Sequence, residues 1–333
     1  MKYTETRNYG FNKIIKEYCG FPKYLPLPCH CEHGWTVLPN ALKSDLATDK
    51  PLMLVFSKRR KQVWKKQSKI PAEIVGAPFV LYKNFHLIKK KNSAKGTVVF
   101  PSHSTFDLKI QFFNIEDYCQ ELSKLPKAFH PITICLFWLD YISPKSSIYR
   151  KYGFRTVTAG SKITNSLSFV KNFYHILSQH KYATGNEVGT APLYALDFGL
   201  PFFLTGKTPK MHNLKGRDVN IPEWSTIMDY KIGRDATKLF STGPIKKVTP
   251  KQKKFVEDEL GVKQNLSGKE LNKLLWKYYN KNHYSFHDIF RYWLNSFVVV
   301  MLFNMPWTGL AFKIREKMQP FYIKSTLNKM KDK

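Results

Sequence analysis

The apolar positions of this chain fall into two rhythms. Short, largely apolar runs bounded by Gly, Pro or polar turns predict strands at Leu52–Phe56, Thr97–Phe100, Ile132–Leu139, Thr156–Thr158, Lys181–Thr184 and Phe202–Leu204. Between them, apolar residues recur at helical spacing. Leu167, Val170, Phe173, Tyr174 and Leu177 predict a helix over 167–179. Helices are also expected at Phe11–Tyr18, Ser57–Ser68, Asn114–Leu125, Ser146–Tyr152 and Ala191–Phe198. Such alternation predicts a parallel sheet covered on both faces.

The polar run KKKNSAKG ends a first, smaller α/β unit near Lys95. Three parts are expected: an acceptor-side α/β unit at 1–95, a nucleotide-binding α/β unit at 96–245, and helices at 246–333, where the chain turns basic and aromatic. The stretch KYATGNEVGTAPLYALDFGLPFFLTG, Lys181–Gly206, organises the second unit. It reads as strand, small polar turn, compact helix, Gly199-Leu200-Pro201 and a second strand. A helix that starts at Gly189-Thr190 presents unpaired N–H groups and the positive end of its dipole, which suits a phosphate. An ordinary strand–helix–strand connection without a ligand would read the same way.

Charge changes the picture. Lys and Arg number 54 against 24 Asp and Glu, a net +30, with basic runs at Lys58–Lys69, Lys89–Lys95, Lys246–Lys254 and Lys324–Lys333. An excess of this size points to an anionic partner: nucleic acid, anionic lipid or a phosphorylated substrate. Five cysteines do not form a disulfide framework and fit a reducing compartment. The first residues lack the apolar core of a secretory signal. Tyr292–Phe312 is uncharged and about as long as a span, but Asn295, Asn304 and Pro306 interrupt it and its flanks are basic and aromatic. That pattern fits a segment lying in a membrane interface better than one crossing it.

Candidate chemistry sits at two places. Ser102-His103-Ser104-Thr105 follows a strand, where open α/β sheets bind ligands, and its hydroxyls and imidazole suit phosphate or ribose. A helix cap explains one hydroxyl of that cluster, not all of them. Asn186 and Glu187 lie on the proposed phosphate turn, where Glu187 can accept from ribose hydroxyls. Cys29-His30-Cys31-Glu32-His33-Gly34-Trp35 is the other cluster. Its Cys-x-Cys spacing is too tight for a zinc finger, and no second close pair follows. His33 could act as a general base with Glu32 orienting it, or could simply bond the backbone. No P-loop, GxGxxG, GxSxG or kinase signature is present, and no Asp-x-Asp pair would hold a metal diphosphate, so a metal-independent mechanism without a cofactor is expected.

The HGW turn, the strand ending in FPSHST, the segment TVTAG ending at Gly160, and TGNEVGTAPLYALDFGLPFFLTG together resemble GT-B-fold glycosyltransferases of bacterial capsule, O-antigen and lipopolysaccharide synthesis. The likeness covers residues 25–206. It implies an α/β fold of two Rossmann-like units, of GT-B type, with a basic, aromatic helical C-terminal extension. The His33-Gly34 pair is also similar to the catalytic His-Gly of polyglycerol-phosphate transferases. By that likeness His33 is the base on the acceptor hydroxyl. Ser102, His103, Ser104, Thr105, Gly160, Asn186, Glu187, Gly189 and Thr190 would meet the donor. Two departures stand out: His130-Pro131 precedes a strand, and the Glu-x7-Glu signature of retaining enzymes is missing around Glu187.

The expected function is therefore an inverting glycosyltransferase. It would move a sugar from a nucleotide-sugar co-substrate to a lipid-linked or polysaccharide acceptor, in the cytoplasm, peripheral on the inner face of an anionic membrane. A CDP-alcohol-dependent polyol-phosphate transferase is the alternative within enzymes. A non-catalytic basic protein binding nucleic acid or membrane would account for the charge but not for the Ser102–Thr105 cluster.

Overall fold

The structure, a computed structural model, describes residues 8–104, 108–111, 113–161, 167–213, 222–264, 266–281, 284–286, 288–290 and 292–294. The first unit runs α1 (Phe11–Cys19), β1 (Cys29–Cys31), α2 (Lys43–Leu46), β2 (Leu52–Val55), α3 (Lys58–Gln67), β3 (Ala72–Ile74) and α4 (Pro78–Phe85). Its three strands pair in parallel in chain order, so this sheet has no point at which strand order reverses.

The second unit runs β4 (Thr97–Phe100), β5 (Leu108–Gln111), α5 (Ile115–Ser123), β6 (Ile132–Cys135), α6 (Trp138–Tyr141), α7 (Lys145–Lys151), β7 (Arg155–Val157), α8 (Ser168–Ser178), β8 (Tyr182–Gly185), α9 (Thr190–Asp197) and β9 (Phe202–Leu204). Its sheet is parallel throughout, in the order β7-β6-β4-β8-β9. Counted along the chain that is third, second, first, fourth, fifth, the order of the first five strands of a Rossmann-like sheet. Strand order reverses between β4 and β8. Then follow β10 (Lys210–Asn213), β11 (Trp224–Ser225), α10 (Lys231–Phe240), α11 (Pro250–Glu259) and α12 (Gly268–Lys281).

Three elements depart from the sequence expectations. The run Ile132–Leu139 stops being a strand at Cys135, and Trp138 begins a helix. Its last apolar residues serve a ring contact at the sheet edge: Phe137 stacks on His103 at 4.4 Å. Cys29–Cys31 is an edge strand whose two cysteines face the core, while His30 bonds Asp45 at 3.0 Å. Alternation along the strand thus parts the Cys and His side chains that were close in sequence. A small antiparallel sheet, β11-β10-β5, was not anticipated.

One hydrophobic core runs through both sheets, joining Leu52, Leu54 and Phe56 to Val98, Ala183 and Phe202. Helix α4 carries much of that junction. Pro78 sits in its first turn, where a missing N–H costs nothing. Phe79 stacks on Tyr194 of α9 at 4.9 Å, and its carbonyl accepts from the Tyr174 hydroxyl of α8 at 2.8 Å. Lys83 donates to the Asp197 carboxylate at 2.6 Å, tying α4 to the end of α9. Burial pushes the Asp197 carboxyl up, and Lys83 pulls it back down.

Candidate functional site

The candidate site lies where strand order reverses. The crossover from β4 leads towards β6, and that from β8 leads the other way to β9, so the loops leaving their C-terminal ends diverge and open a crevice. The two strands approach closely there. A Cβ at Gly185 would stand 2.7 Å from the Phe100 carbonyl oxygen, so only glycine fits the last residue of β8.

Polar groups from both strand ends meet at this opening. The Ser102 N–H donates to Asn186 Oδ1 at 2.8 Å, which fixes the amide's orientation. Ser102 Oγ lies 3.1 Å from the same oxygen and 3.0 Å from Glu187 Oε2, so one hydroxyl proton is shared between two acceptors. Asn186 is buried, and its Nδ2 has no hydrogen-bond partner among the described residues. Burial raises the Glu187 carboxyl to about 7, against the opposing pull of the Ser102 hydrogen bond. A carboxyl that titrates near neutrality in a ligand crevice is suited to accepting or exchanging a hydroxyl proton.

After Glu187 the chain passes Val188, buried at 2% exposure, and enters α9. Among the described residues no side chain caps this helix. Pro192 has no N–H, so the donors at its start are the backbone N–H groups of Gly189, Thr190 and Ala191. With the dipole behind them they form an anion-receiving end.

The turn of the first unit closes on this same helix start. Gly34 packs against Thr190 so tightly that a Cβ there would stand 3.0 Å from Thr190 Oγ1. Thr190 Oγ1 in turn donates to the Trp35 carbonyl at 3.4 Å. The turn is anchored behind: the Trp35 indole donates to Glu259 Oε2 at 2.6 Å, and Arg59 donates to Glu259 and to the Thr36 carbonyl. His33 precedes Gly34, half-buried, with its ring 5.6 Å from Tyr9. Tyr9 was not singled out in the sequence, and no motif marks it. Its ring also packs edge-on against Phe169 at 4.7 Å, its φ is 57°, and burial pushes its phenol up to about 12.

Glu32 is held by partners of the first unit. Its side chain is 2% exposed, receives Arg60 Nε at 2.9 Å and the Phe56 N–H, and lies inside the first unit. Burial raises its carboxyl, and the Arg60 guanidinium opposes that shift. Each carboxylate oxygen of Glu32, expected to orient His33, thus accepts a hydrogen bond from within the first unit.

The remaining expected donor residues scatter. His103 is exposed on Phe137, and Ser104 Oγ accepts from the Ile110 N–H at 3.0 Å, fastening β5. Gly160 follows β7, two strands from β4, roughly 10 Å away across the sheet. Thr105 lies outside the described residues, as does most of 290–312. No described helix is long and apolar enough to cross a membrane. Among the described residues no three His, Cys, Asp or Glu side chains cluster to hold a metal.

No protein-family model matches the chain, and no curated protein matches it in sequence. Solved structures similar to it include the wall teichoic acid polymerase TagF, at 8% identity and a TM-score of 0.37, covering 77% of this chain and 69% of that one. A histidine variant of TagF gives 8% identity and a TM-score of 0.38 over the same shares, 77% and 69%. TagF soaked with CDPG gives 8% and 0.35, over 70% and 58%. Likeness of that size does not establish a common fold.

Proposed function

We propose that the chain is a nucleotide-dependent glycosyltransferase of cell-surface glycan synthesis. The observation that carries this reading is the contact of Gly34 with Thr190, which sets the His33 turn of one sheet beside the helix start at the switch point of the other. The nucleotide of a nucleotide-sugar occupies the β4/β8 crevice, its phosphates at Gly189, Thr190 and Ala191. Asn186 Nδ2 and Glu187 serve as partners for ribose or base. His33 takes the proton from an acceptor hydroxyl as the oxygen bonds the anomeric carbon. The bond from that carbon to phosphate oxygen breaks, and the electron pair leaves with the nucleotide, whose charge the helix start stabilises. One displacement inverts the anomeric centre.

A lipid-linked acceptor would meet the protein at a membrane. Phe286, Phe290, Trp293 and Leu294 are all exposed, and their spacing puts them on one helical face, away from buried Asp288 and Tyr292. Such a face on a strongly cationic chain suits the interface of an anionic bilayer.

The test is nucleotide release from a panel of UDP-, GDP-, CMP- and ADP-linked sugars, with a lipid diphosphate-linked sugar as acceptor. Acceptor-dependent turnover of one donor supports the reading. Turnover with CDP-alcohols alone would move it to polyol-phosphate transfer, and no turnover with any donor would contradict it.

A further inference from the structure

We propose a second anion site, at the edge of the β4-containing sheet opposite the crevice, for a ligand carrying a run of phosphate groups. A cavity of about 540 Å³ opens there, lined by Lys90, Lys91, Lys181, Lys246 and Lys247, with Tyr182, Pro201 and Val248 among its other walls. Among the described residues no carboxylate lines it. Tyr182 begins β8 and Pro201 precedes β9, so the cavity faces the N-terminal ends of the strands whose C-terminal ends lead to Glu187 and Gly206. A four-residue strand separates the two edges, about 13 Å of backbone.

Two basic runs that are far apart in sequence supply the charge. Lys90 and Lys91 come from the loop before β4, Lys246 and Lys247 from the loop before α11, and Lys181 from the entry to β8. Both loops are tethered to the fold. The Lys91 and Lys95 N–H groups donate to the Ser178 and Gln179 carbonyls at 3.0 Å, and Thr249 caps α11 with a reciprocal bond to Gln252. Folding therefore gathers five exposed like charges around a concave space, a repulsion that a polyvalent counterion relieves more effectively than monovalent salt. Lysine reads phosphate as a point charge, so the site selects for the number of charges on the ligand rather than for a fixed geometry. The volume lies in the range of small-ligand pockets and admits a linear oligophosphate or a segment of phosphodiester chain. This site does not depend on the crevice binding a nucleotide.

Titration calorimetry of the full chain with tripolyphosphate and with inorganic phosphate tests it. Tripolyphosphate is expected to bind at least roughly tenfold more tightly, with affinity that falls steeply as salt rises. The double variant Lys181→Glu with Lys246→Glu is expected to lose about tenfold or more. The control Lys65→Glu with Lys66→Glu, an equal charge change on the exposed face of α3, keeps binding close to wild type. Vesicles containing phosphatidylinositol bisphosphate, run beside soluble tripolyphosphate, tell a membrane-borne ligand from a free one, because only the source that matters weakens in the cavity variant. Equal loss in both variants, wild-type binding in the cavity variant, or no preference for tripolyphosphate would overturn the proposal.

Discussion

Gly34 and Thr190 touch across the two sheets, with room between them for hydrogen and nothing larger: a β-carbon at 34 would stand 3.0 Å from Thr190 Oγ1. Gly34→Ala is expected to push Thr190 aside by a few tenths of an ångström and cost about 1 kcal/mol or less. Gly34→Val cannot be absorbed so cheaply. Its melting temperature should fall by several degrees, and nucleotide affinity should fall in step with the separation of the turn from α9. Calorimetry and thermal melts of the two variants check this. Equal affinity in wild type and Gly34→Val would show that the contact does not shape the site.

Glu32 and His33 are adjacent in sequence but differ in role. Arg60→Ala strands a buried carboxylate and should cost about 3–5 kcal/mol. Glu32→Gln keeps the shape and should leave turnover per folded molecule nearly unchanged. His33→Ala should leave the fold intact and lower turnover by roughly 10²–10⁴-fold. Turnover and thermal melts of the three variants separate the roles, and an inactive but folded Glu32→Gln protein would return Glu32 to the chemistry.

The Glu187 carboxyl, held near 7 by burial, makes stability depend on pH. The folded protein keeps this proton up to about pH 7, whereas the unfolded chain loses it near an ordinary glutamate value of about 4.3. Between those values the folded state binds more protons, so stability falls as pH rises through that window and is flat above it. The total is on the order of 2–3 kcal/mol after allowance for solvent screening. Melting temperatures from pH 4.5 to 8.5 should show the decline, and Glu187→Gln should flatten it.

The aromatic face predicts membrane binding that needs both its rings and anionic lipid. Replacing Phe286, Phe290 and Trp293 together by Ser should cut co-sedimentation with phosphatidylglycerol vesicles by about tenfold or more, since each buried ring contributes roughly 2 kcal/mol. Phe286 and Phe290 are already exposed, so the melting temperature should fall only as far as the loss of the Trp293 indole's hydrogen bond to the Tyr24 carbonyl requires, about 1 kcal/mol.

What the sequence disclosed follows from how each element is buried. Thr97–Phe100 and Phe202–Leu204 were legible to the residue because a parallel strand covered on both faces is apolar at nearly every position. The same logic overran β6, since Phe137 and Trp138 stay apolar to serve contacts outside the sheet. Lys210–Asn213 reads KMHN, half-exposed, and pairs with Leu108–Gln111 a hundred residues earlier in the chain, a relationship with no local trace. In the site, Ser102, Asn186, Glu187, His33 and Thr190 each drew attention by type and position. Which of them meet is a property of strand order. That Glu32 turns inward to Arg60 while Gly34 reaches Thr190 depends on the path of the turn after β1, which no spacing encodes.

The most direct measurement is thermal stabilisation of wild type and Thr190→Asp by CMP, UDP, GDP, CDP and ADP. Aspartate at the first position of α9 favours the helix dipole by about 0.5 kcal/mol, which offsets part of the loss of the Thr190 hydrogen bond to the Trp35 carbonyl, and it sets a negative charge where the phosphates would bind. The account predicts that one nucleotide raises the melting temperature of wild type and that Thr190→Asp, measured against its own unliganded melting temperature, does not respond. No nucleotide response in wild type, or an undiminished response in Thr190→Asp, would contradict it.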